Sequence, residues 1–215
     1  MEKVKKICKW FFESFIWLGI LLFVLDIVSK NVVIANHKYI LSQGPNGIEL
    51  IPGFLAINYI INPNVAFGMS LGTGWTNRIV FSSIAIAVVA GIIVFDIKKW
   101  GKISKFYRAV LMMVAAGALG NVIDRLFYSA EYLDSAYNGV VDWINFYGIW
   151  RFNFNIADSA IVVAAFMVII AFIVEEIKEF RAKRKEEKAQ DNNGEKVLST
   201  TEKEKNELLD KDKDE

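Results

Sequence analysis

The chain has few of the residue types on which several common kinds of site depend. Its 215 residues include one cysteine, Cys8, and one histidine, His37, which excludes an internal disulfide and a multi-histidine metal site. A zinc-protease HExxH motif is therefore impossible, any serine–histidine route would need His37 as its base, and no glycine-rich phosphate motif is present. The net charge of +1 gives no whole-chain field that would favour nucleic acid. Carboxylates are the best remaining acids and bases, and neither a metal nor a cofactor is expected.

Charged residues are also scarce over most of the chain. They make up 23% of it, but 21 of them lie among the 35 residues from Arg181 to Glu215. The first 180 residues therefore fall well below the roughly one quarter that is usual in soluble domains. This division predicts a membrane domain over residues 1–180 and a charged tail over residues 181–215 that frays from a helix into disorder.

Four apolar runs predict membrane-spanning helices. Each is slightly shorter than the ~20 residues that cross a bilayer, so flanking residues are expected to extend the helices. The runs are approximately Trp10–Val28, Ile79–Phe95, Ala109–Ile123 and Ser159–Val174. Helices are expected because lipid offers no hydrogen-bond partners to an open backbone. The sequence therefore predicts an α-helical integral membrane protein with four transmembrane helices.

The distribution of lysine and arginine predicts the orientation. These residues precede the first run, separate the second from the third and follow the fourth, whereas the connections 31–78 and 126–153 contain few. By the positive-inside rule, both termini and the charged tail are cytoplasmic and the two long connections are external. The first connection also predicts a small external β-sheet. Tyr39–Leu41 and Ile48–Ile61 are rich in apolar and β-branched residues, and the turn Pro45–Asn46–Gly47 lies between them.

Four acidic residues are expected near the same external surface. Asp26 ends the first span, Asp124 ends the third, Asp142 lies in the second external loop and Asp158 begins the fourth span. Ionisable residues at membrane depth are costly and are therefore candidates for a functional site. Two carboxylates held close together tend to keep one proton between them. Such a pair supplies both an acid and a base, which suffices for peptide hydrolysis.

Each acid also fits a purely structural role. Asp26 can form an ion pair with Lys30 along one helix face, and Asp124 beside Arg125 can anchor a helix end. Asp158 can cap a helix together with Asn155, and Asp142 can be a solvated loop residue. Two other functions stay open as well. One is a small proton- or ion-coupled transporter in which the acids form a relay, and the other is a membrane scaffold whose tail binds a partner.

Five short motifs occur in order within about residues 10–175. They are Asp26-Ile27-Val28-Ser29-Lys30, Asn62-Pro63-Asn64-Val65-Ala66-Phe67, Gly117-Ala118-Leu119-Gly120-Asn121-Val122-Ile123-Asp124-Arg125, Val140-Val141-Asp142 and Phe154-Asn155-Ile156-Ala157-Asp158-Ser159. In this order they resemble the motifs of the lipoprotein signal peptidase (signal peptidase II) family. The set is highly specific, although any one of the motifs would be weak evidence.

The resemblance implies an aspartyl endopeptidase of the bacterial cell membrane with its active site at the outer face. Substrates of the family are prolipoproteins that carry diacylglycerol on a cysteine, and cleavage before this cysteine releases the signal peptide. The chain is then expected to act as a monomer in membrane lipid, without nucleic acid, metal or cofactor.

The resemblance also assigns roles to the candidate residues. It implies that Asp142 and Asp158 are the catalytic pair. The remaining matched positions are implied to shape the site or hold the substrate; they are Asn62, Asn121, Asp124, Arg125 and Asn155, with Asp26 and Lys30 in a supporting role.

The chain departs from the family pattern in three places. Asn64 and Val65 replace the usual glycine and alanine, and asparagine reaches fewer backbone conformations than glycine. The stretch Leu126–Asn138 is longer than usual, which predicts an extra external loop, and the charged tail is also long. These changes are expected to affect the substrate range rather than the type of reaction.

Overall fold

The structure is a computed structural model that describes most of the chain. The described residues are 2–63, 75–99, 102–136, 138–150 and 152–211, with side chains as far as Lys185. The replaced positions Asn64 and Val65 lie outside the described residues. The elements are α1 (Glu2–Glu13), α2 (Ile16–Ala35), α3 (His37–Ser42), β1 (Ile48–Ile51), β2 (Leu55–Asn62), α4 (Trp75–Lys98), α5 (Lys105–Phe127), β3 (Val140–Asn145), β4 (Asn153–Phe154) and α6 (Ile156–Lys211).

The chain divides into two compact units after Val168. The first unit contains α1 to α5, the four strands and the beginning of α6. The second unit is the chain from Ile169 to Glu215. The boundary predicted after residue 180, between a membrane domain and a disordered tail, stays a prediction.

Four of the described helices are long and apolar enough to cross a membrane. They confirm the four predicted spans, whose observed bounds are Ile16–Ala35, Trp75–Lys98, Lys105–Phe127 and Ile156–Lys185. Helix α5 packs against both α2 and α4. In α5, 56% of the apolar stretch is buried, whereas the buried share is 22% or less in each of the other three spans. Helix α5 is therefore the most enclosed span, and its side chains have the most neighbours to interact with.

The first span begins and ends later than the sequence predicts, so Asp26, which was expected at its end, lies midway along α2. Trp10–Glu13 belongs to the separate helix α1, and α2 begins at Ile16. Phe15, between the two helices, has a φ of 59°, a left-handed conformation that ends a helix. The Ser14 hydroxyl donates to the carbonyl of Phe11 at 2.9 Å. The continuous apolar run therefore conceals a break at residues 14–15.

The described strands form one antiparallel sheet in the order β1–β2–β3–β4. A small sheet was predicted and is confirmed, but its strands differ from those expected. Tyr39–Leu41 lies in helix α3, where Ile40 packs into the core beside Tyr59. So short an apolar run has no periodicity that separates a strand from a helix. Strands β3 and β4 come from the second long connection, so Asp142 lies in a strand rather than in a loop.

The described part of the connection between α5 and β3 folds back onto the core of the protein. Leu133 is fully buried in a cluster that includes Val33 and Tyr59. The Tyr59 hydroxyl donates to the carbonyl of Leu133, and the Tyr132 hydroxyl donates to Asn31 Oδ1 at 2.6 Å. The extra length is therefore a loop packed against α2 and β2.

Candidate active site

Asp142 and Asp158 come together through one shared neighbour, Asn155. The side-chain amide of Asn155 donates to Asp142 Oδ1 at 2.8 Å, and Asp142 Oδ2 accepts from Asn62 Nδ2 at 3.0 Å. Asn155 Oδ1 accepts from the backbone N–H of Asp158 at 2.8 Å. The backbone N–H of Asn155 in turn donates to Asp158 Oδ2 at 3.3 Å. One acid from a strand and one from a helix thus contact the same residue.

The local structure at the start of α6 explains how Asp158 is held. Asn155 is the N-cap residue and Asp158 the third helical residue, and each side chain accepts from the other's backbone N–H. This reciprocal arrangement is a capping box, with aspartate in place of the usual glutamate or glutamine. The helix-cap interpretation is confirmed, but it does not exclude a site role. Asp158 Oδ1 also accepts from Asn121 Nδ2 at 2.8 Å, outside the cap.

Asp142 is in a quite different environment from a solvated loop acid. It is 2% exposed, so the interpretation as a surface position is wrong. Burial, reinforced by the negative charge of Asp158, raises the pKa of Asp142 well above its ordinary value. The hydrogen bond from Asn62 opposes this shift but does not cancel it. The Asp142–Asp158 pair therefore keeps a proton to higher pH than separate carboxyls would.

Lys30 joins two further acids behind this pair. Its ammonium is fully buried and lies 2.7 Å from Asp26 Oδ2 and 2.9 Å from Asp124 Oδ2. It also donates to Asn121 Oδ1 at 3.2 Å. The predicted ion pair between Asp26 and Lys30 is confirmed. Asp124 is fully buried and belongs to the same group, here called the Lys30 cluster, rather than to a helix-end anchor at the surface.

The two carboxylates of the Lys30 cluster also hold the elements that carry the pair. Asp26 Oδ1 accepts from the backbone N–H of Ala157 at 2.9 Å, in the first turn of α6. A negative charge is favourable there, because the helix dipole is positive at its N-terminus. Asp124 Oδ2 accepts from the backbone N–H of Val141 at 3.0 Å, in β3. The cluster thus connects the helix of Asp158 with the strand of Asp142.

Charge balance within the site favours one protonated acid. Four carboxyl groups face two cations, Lys30 and Arg125, whose charges act on the Asp142–Asp158 pair. Full ionisation would leave an excess of negative charge in a largely buried region, which is costly. Among the described residues, no grouping of His, Cys, Asp and Glu is suited to a metal ion.

Two arginines lie at the end of α5 beside the site. The Arg125 side chain donates to the backbone carbonyl of Asn121 at 3.0 Å and is half-buried. Arg78, at the start of α4, is 7% exposed and donates to the carbonyls of Arg125 and Leu126. A cation is stabilised at the negative, C-terminal end of a helix dipole, and its N–H groups can donate to the last carbonyls of the helix. Sequence reasoning missed this role, and the only signal was an isolated arginine just before an apolar run.

Two glycines of α5 allow α6 to approach closely. A Cβ at Gly117 would lie 2.7 Å from Ile161 Cγ1. At Gly120 it would lie 3.1 Å from the Cβ of Ala157 and would overlap the carboxylate of Asp26. The small residues of this helix therefore form a packing face, as the sequence predicted.

Substitution of Gly120 by Ala is expected to destabilise the protein by about 1–3 kcal/mol, as overpacked sites usually do. The methyl group would push Asp26 or α6 out of place. Gly91→Ala in α4 is the matched control, because a Cβ there meets nothing within 4 Å. Thermal unfolding of both variants in the same detergent measures the difference. Equal unfolding temperatures would mean that the close approach at Gly120 is not required.

Comparisons with known proteins identify the family. The family model described as signal peptidase (SPase) II matches residues 18–174. The chain belongs to the signal peptidase II family. It is therefore a peptidase and a multi-pass bacterial membrane protein, which decides against the transporter and the scaffold. The nine residues implied by the resemblance lie in one connected group.

Relatives in the signal peptidase II family match most of the chain. The lipoprotein signal peptidase of Desulfitobacterium hafniense is 35% identical over 169 residues, which cover 76% of this chain and 96% of that protein. The one from Fusobacterium nucleatum is 36% identical over 160 residues, covering 74% and 86%. A solved structure, "Bacterial membrane enzyme structure by the in meso method at 2.3 Å resolution", is 28% identical with a TM-score of 0.56 and covers 75% of this chain and 88% of that one.

Proposed function

We propose that this protein removes signal peptides from bacterial prolipoproteins that carry diacylglycerol on the cysteine following the cut. The relatives reported above are lipoprotein signal peptidases, which supports this substrate class. The observation that carries the proposed mechanism is the contact of both Asp142 and Asp158 with Asn155. Two buried carboxyls that share a proton are a sufficient acid and base for peptide hydrolysis.

In the proposed reaction, the ionised carboxylate of the pair removes a proton from a water molecule. The water oxygen adds to the scissile carbonyl carbon while the protonated carboxyl donates its proton to the carbonyl oxygen, which gives a neutral gem-diol. Collapse of the gem-diol breaks the C–N bond. One hydroxyl proton returns to the pair and the other carboxyl protonates the leaving amine, so the pair again holds one proton.

The asparagines of the site are proposed to orient the two acids. Asn62 and Asn155 donate to opposite oxygens of Asp142, and Asn121 donates to Asp158. These bonds limit rotation of both carboxyls. Because the pair is already oriented, the reaction does not have to pay the entropy of ordering these side chains on the way to the transition state. Arg125 is proposed to offset the negative charge of the site.

The position of the acids suits a substrate that arrives through lipid. Asp124 lies near the end of one span and Asp158 at the start of another, which supports a site toward one end of these spans, and Asp26 contacts this region from midway along α2. The positive-inside rule supports assignment of this end to the outer face, with both termini cytoplasmic. A cysteine whose acyl chains lie in the outer leaflet would present the preceding peptide bond at this depth. The protein is proposed to act as a monomer.

The direct test uses the purified full-length protein and a prolipoprotein precursor. With the diacylglyceryl-modified precursor, mass spectrometry should find a product whose first residue is the modified cysteine. The control precursor has serine in place of this cysteine and therefore carries no diacylglycerol. Equal cleavage of the two precursors, or cleavage at another bond, would contradict the proposed substrate and cleavage site.

The rate of processing should fall at alkaline pH. Because the pKa of Asp142 is raised, the pair keeps one proton through neutral pH and loses it as the pH rises through that pKa. Two ionised acids cannot protonate the carbonyl oxygen. At acidic pH both are protonated, and no base remains. A profile of rate against pH should therefore have two limbs.

Asn62→Leu tests the cause of the alkaline limb. The hydrogen bond from Asn62 lowers the pKa of Asp142, so its removal should move that limb to higher pH and also reduce the maximal rate. Asn36→Leu, at an exposed amide outside the site, should leave the profile unchanged. An alkaline limb at the same pH in Asn62→Leu would contradict this role of Asn62.

A further inference from the structure

Helix α1 has two contrasting faces and plays no part in the proposed reaction. It precedes residues 18–174, which the family model matches, and none of its residues is buried. With 3.6 residues per turn, one face carries Glu2, Lys5, Lys6, Lys9 and Glu13. The opposite face carries Val4, Ile7, Cys8 and Phe11, flanked by Trp10 and Phe12, with Lys3 at the boundary. Such segregation is typical of a helix that lies at a boundary between water and an apolar phase.

The apolar face of α1 is largely uncovered by the described part of the protein. Val4 is 63% exposed, Ile7 64% and Phe12 63%. Contiguous exposed apolar side chains with a polar rim usually mark a contact with a membrane or another protein. The location of the helix and its charge distinguish between these two.

The connection to α2 places α1 at the membrane boundary. Only Ser14 and Phe15 separate it from the span that begins at Ile16. Glu13 Oε1 lies 3.8 Å from the ammonium of Lys105 at the start of α5. Trp10 lines an apolar groove of about 340 Å³ together with residues of α2, α4 and α5. Helix α1 therefore contacts the same end of the bundle at which α4 ends and α5 begins.

We infer that α1 lies in the plane of the cytoplasmic leaflet and binds anionic phospholipid headgroups. Its four lysines and two glutamates leave a net charge of +2. The end of α4, the start of α5 and the connection between them add Lys98, Lys99, Lys102 and Lys105. Basic residues next to a span are attracted to anionic lipids. The lysine stems can lie along the apolar phase while their ammonium groups reach the phosphates. The choice of leaflet rests on the proposed orientation.

Cys8 allows a test in the full-length protein. It is the only cysteine of the chain, it is exposed, and it lies on the apolar face. A nitroxide attached to Cys8 reports depth through its relative accessibility to oxygen and to a water-soluble nickel chelate. In phosphatidylcholine nanodiscs that contain phosphatidylglycerol, the label should lie roughly 5–10 Å below the headgroup level. A label at position 5 in the variant Cys8→Ser/Lys5→Cys should face water.

The contribution of charge is tested by Lys5→Gln/Lys6→Gln/Lys9→Gln. This variant should increase the chelate accessibility of the Cys8 label several-fold in discs that contain phosphatidylglycerol, and leave peptidase activity in neutral detergent unchanged. The matched control, Lys178→Gln/Lys183→Gln/Lys185→Gln, removes as many lysines from α6 and should not change the depth of the label.

Three outcomes would overturn the inference. A Cys8 label that faces water in nanodiscs both with and without phosphatidylglycerol would exclude insertion. Equal depth of the label in these two kinds of nanodisc would exclude selection of anionic headgroups. Strong immobilisation of the label in detergent would assign the face to a protein contact. A separate result concerns orientation. If an impermeant thiol reagent reaches position 5 in spheroplasts but not in inverted vesicles, the proposed orientation fails, and with it the assignment to the cytoplasmic leaflet.

Discussion

Replacement of Asp142 or Asp158 by Asn is expected to reduce the rate of precursor processing by about 10²–10⁴-fold, the usual contribution of a positioned acid or base. Asparagine preserves the size of the side chain and one acceptor oxygen, so the bonds to Asn155 can largely persist. It cannot take up or release the proton that the reaction requires. Because the two acids act as a unit, the double variant should be little slower than either single one. Initial rates with the diacylglyceryl-modified precursor measure both effects.

Asp134→Asn is the matched control for these variants. Asp134 is also an acid beyond the end of α5, but its side chain is 61% exposed and contacts His37 and Lys38 instead of the site. Its substitution should leave processing unchanged. Circular dichroism and thermal unfolding in detergent establish that each variant is folded. Near-normal processing by a folded Asp142→Asn or Asp158→Asn variant would remove that residue from the mechanism.

The spans and the start of α6 could be predicted because they depend on neighbouring residues. An uninterrupted apolar run such as Ile79–Phe95 has few alternatives to a helix in lipid, and α4 contains all of it. The spacing of Asn155 and Asp158 fits a helix cap on sequence alone. The break before α2 was hidden because Ser14 and Phe15 are compatible with either conformation until the rest of the protein is present.

The sheet was harder to predict because pairing joins distant parts of the chain. Strand β3 pairs with β2 so that Asn62 lies across from Val140, and this register brings the Asn62 amide to Asp142. Periodicity within one segment contains no information about such a partner. The assignment of Asp142 to a loop failed for this reason.

The contacts of buried charges could not be predicted because they depend on how the helices are rotated. The sequence places Arg108 among the basic residues of a cytoplasmic connection, yet it is 4% exposed and lies 3.4 Å from Asp96 of α4. Likewise, Lys30 was expected to pair with Asp26 along one helix, but its contact with Asp124 depends on the packing of α2 against α5. The resemblance to a family could group these residues without revealing which atoms meet.

Among substitutions outside the Asp142–Asp158 pair, Lys30→Met is expected to have the largest effect on stability. It leaves Asp26 and Asp124 buried without their counter-charge, and loss of one partner from a buried ion pair usually costs about 3–5 kcal/mol. Because these two acids hold the first turn of α6 and strand β3, activity should fall together with stability. Thermal unfolding and resistance to proteolysis in detergent measure the change.

Lys38→Met is the matched control, since Lys38 is also a lysine paired with an aspartate but its side chain is 81% exposed. Exposed ion pairs contribute little, so this variant should unfold like the parent protein. If Lys30→Met also unfolds at the parent temperature, the buried cluster is not what joins α6 to β3.

The triple variant Asp26→Asn/Lys30→Met/Asp124→Asn separates charge from hydrogen bonding. It removes the whole set of charges but keeps an amide oxygen that can accept from the N–H groups of Ala157 and Val141. Neutral replacement of a complete buried ion group is often tolerated, so the triple variant should recover much of the stability that Lys30→Met loses. Its activity should stay low, because the charge of Lys30 acts on both Asp142 and Asp158. A triple variant as unstable as Lys30→Met would instead mean that the specific contacts of Lys30, including the one to Asn121, hold the site together.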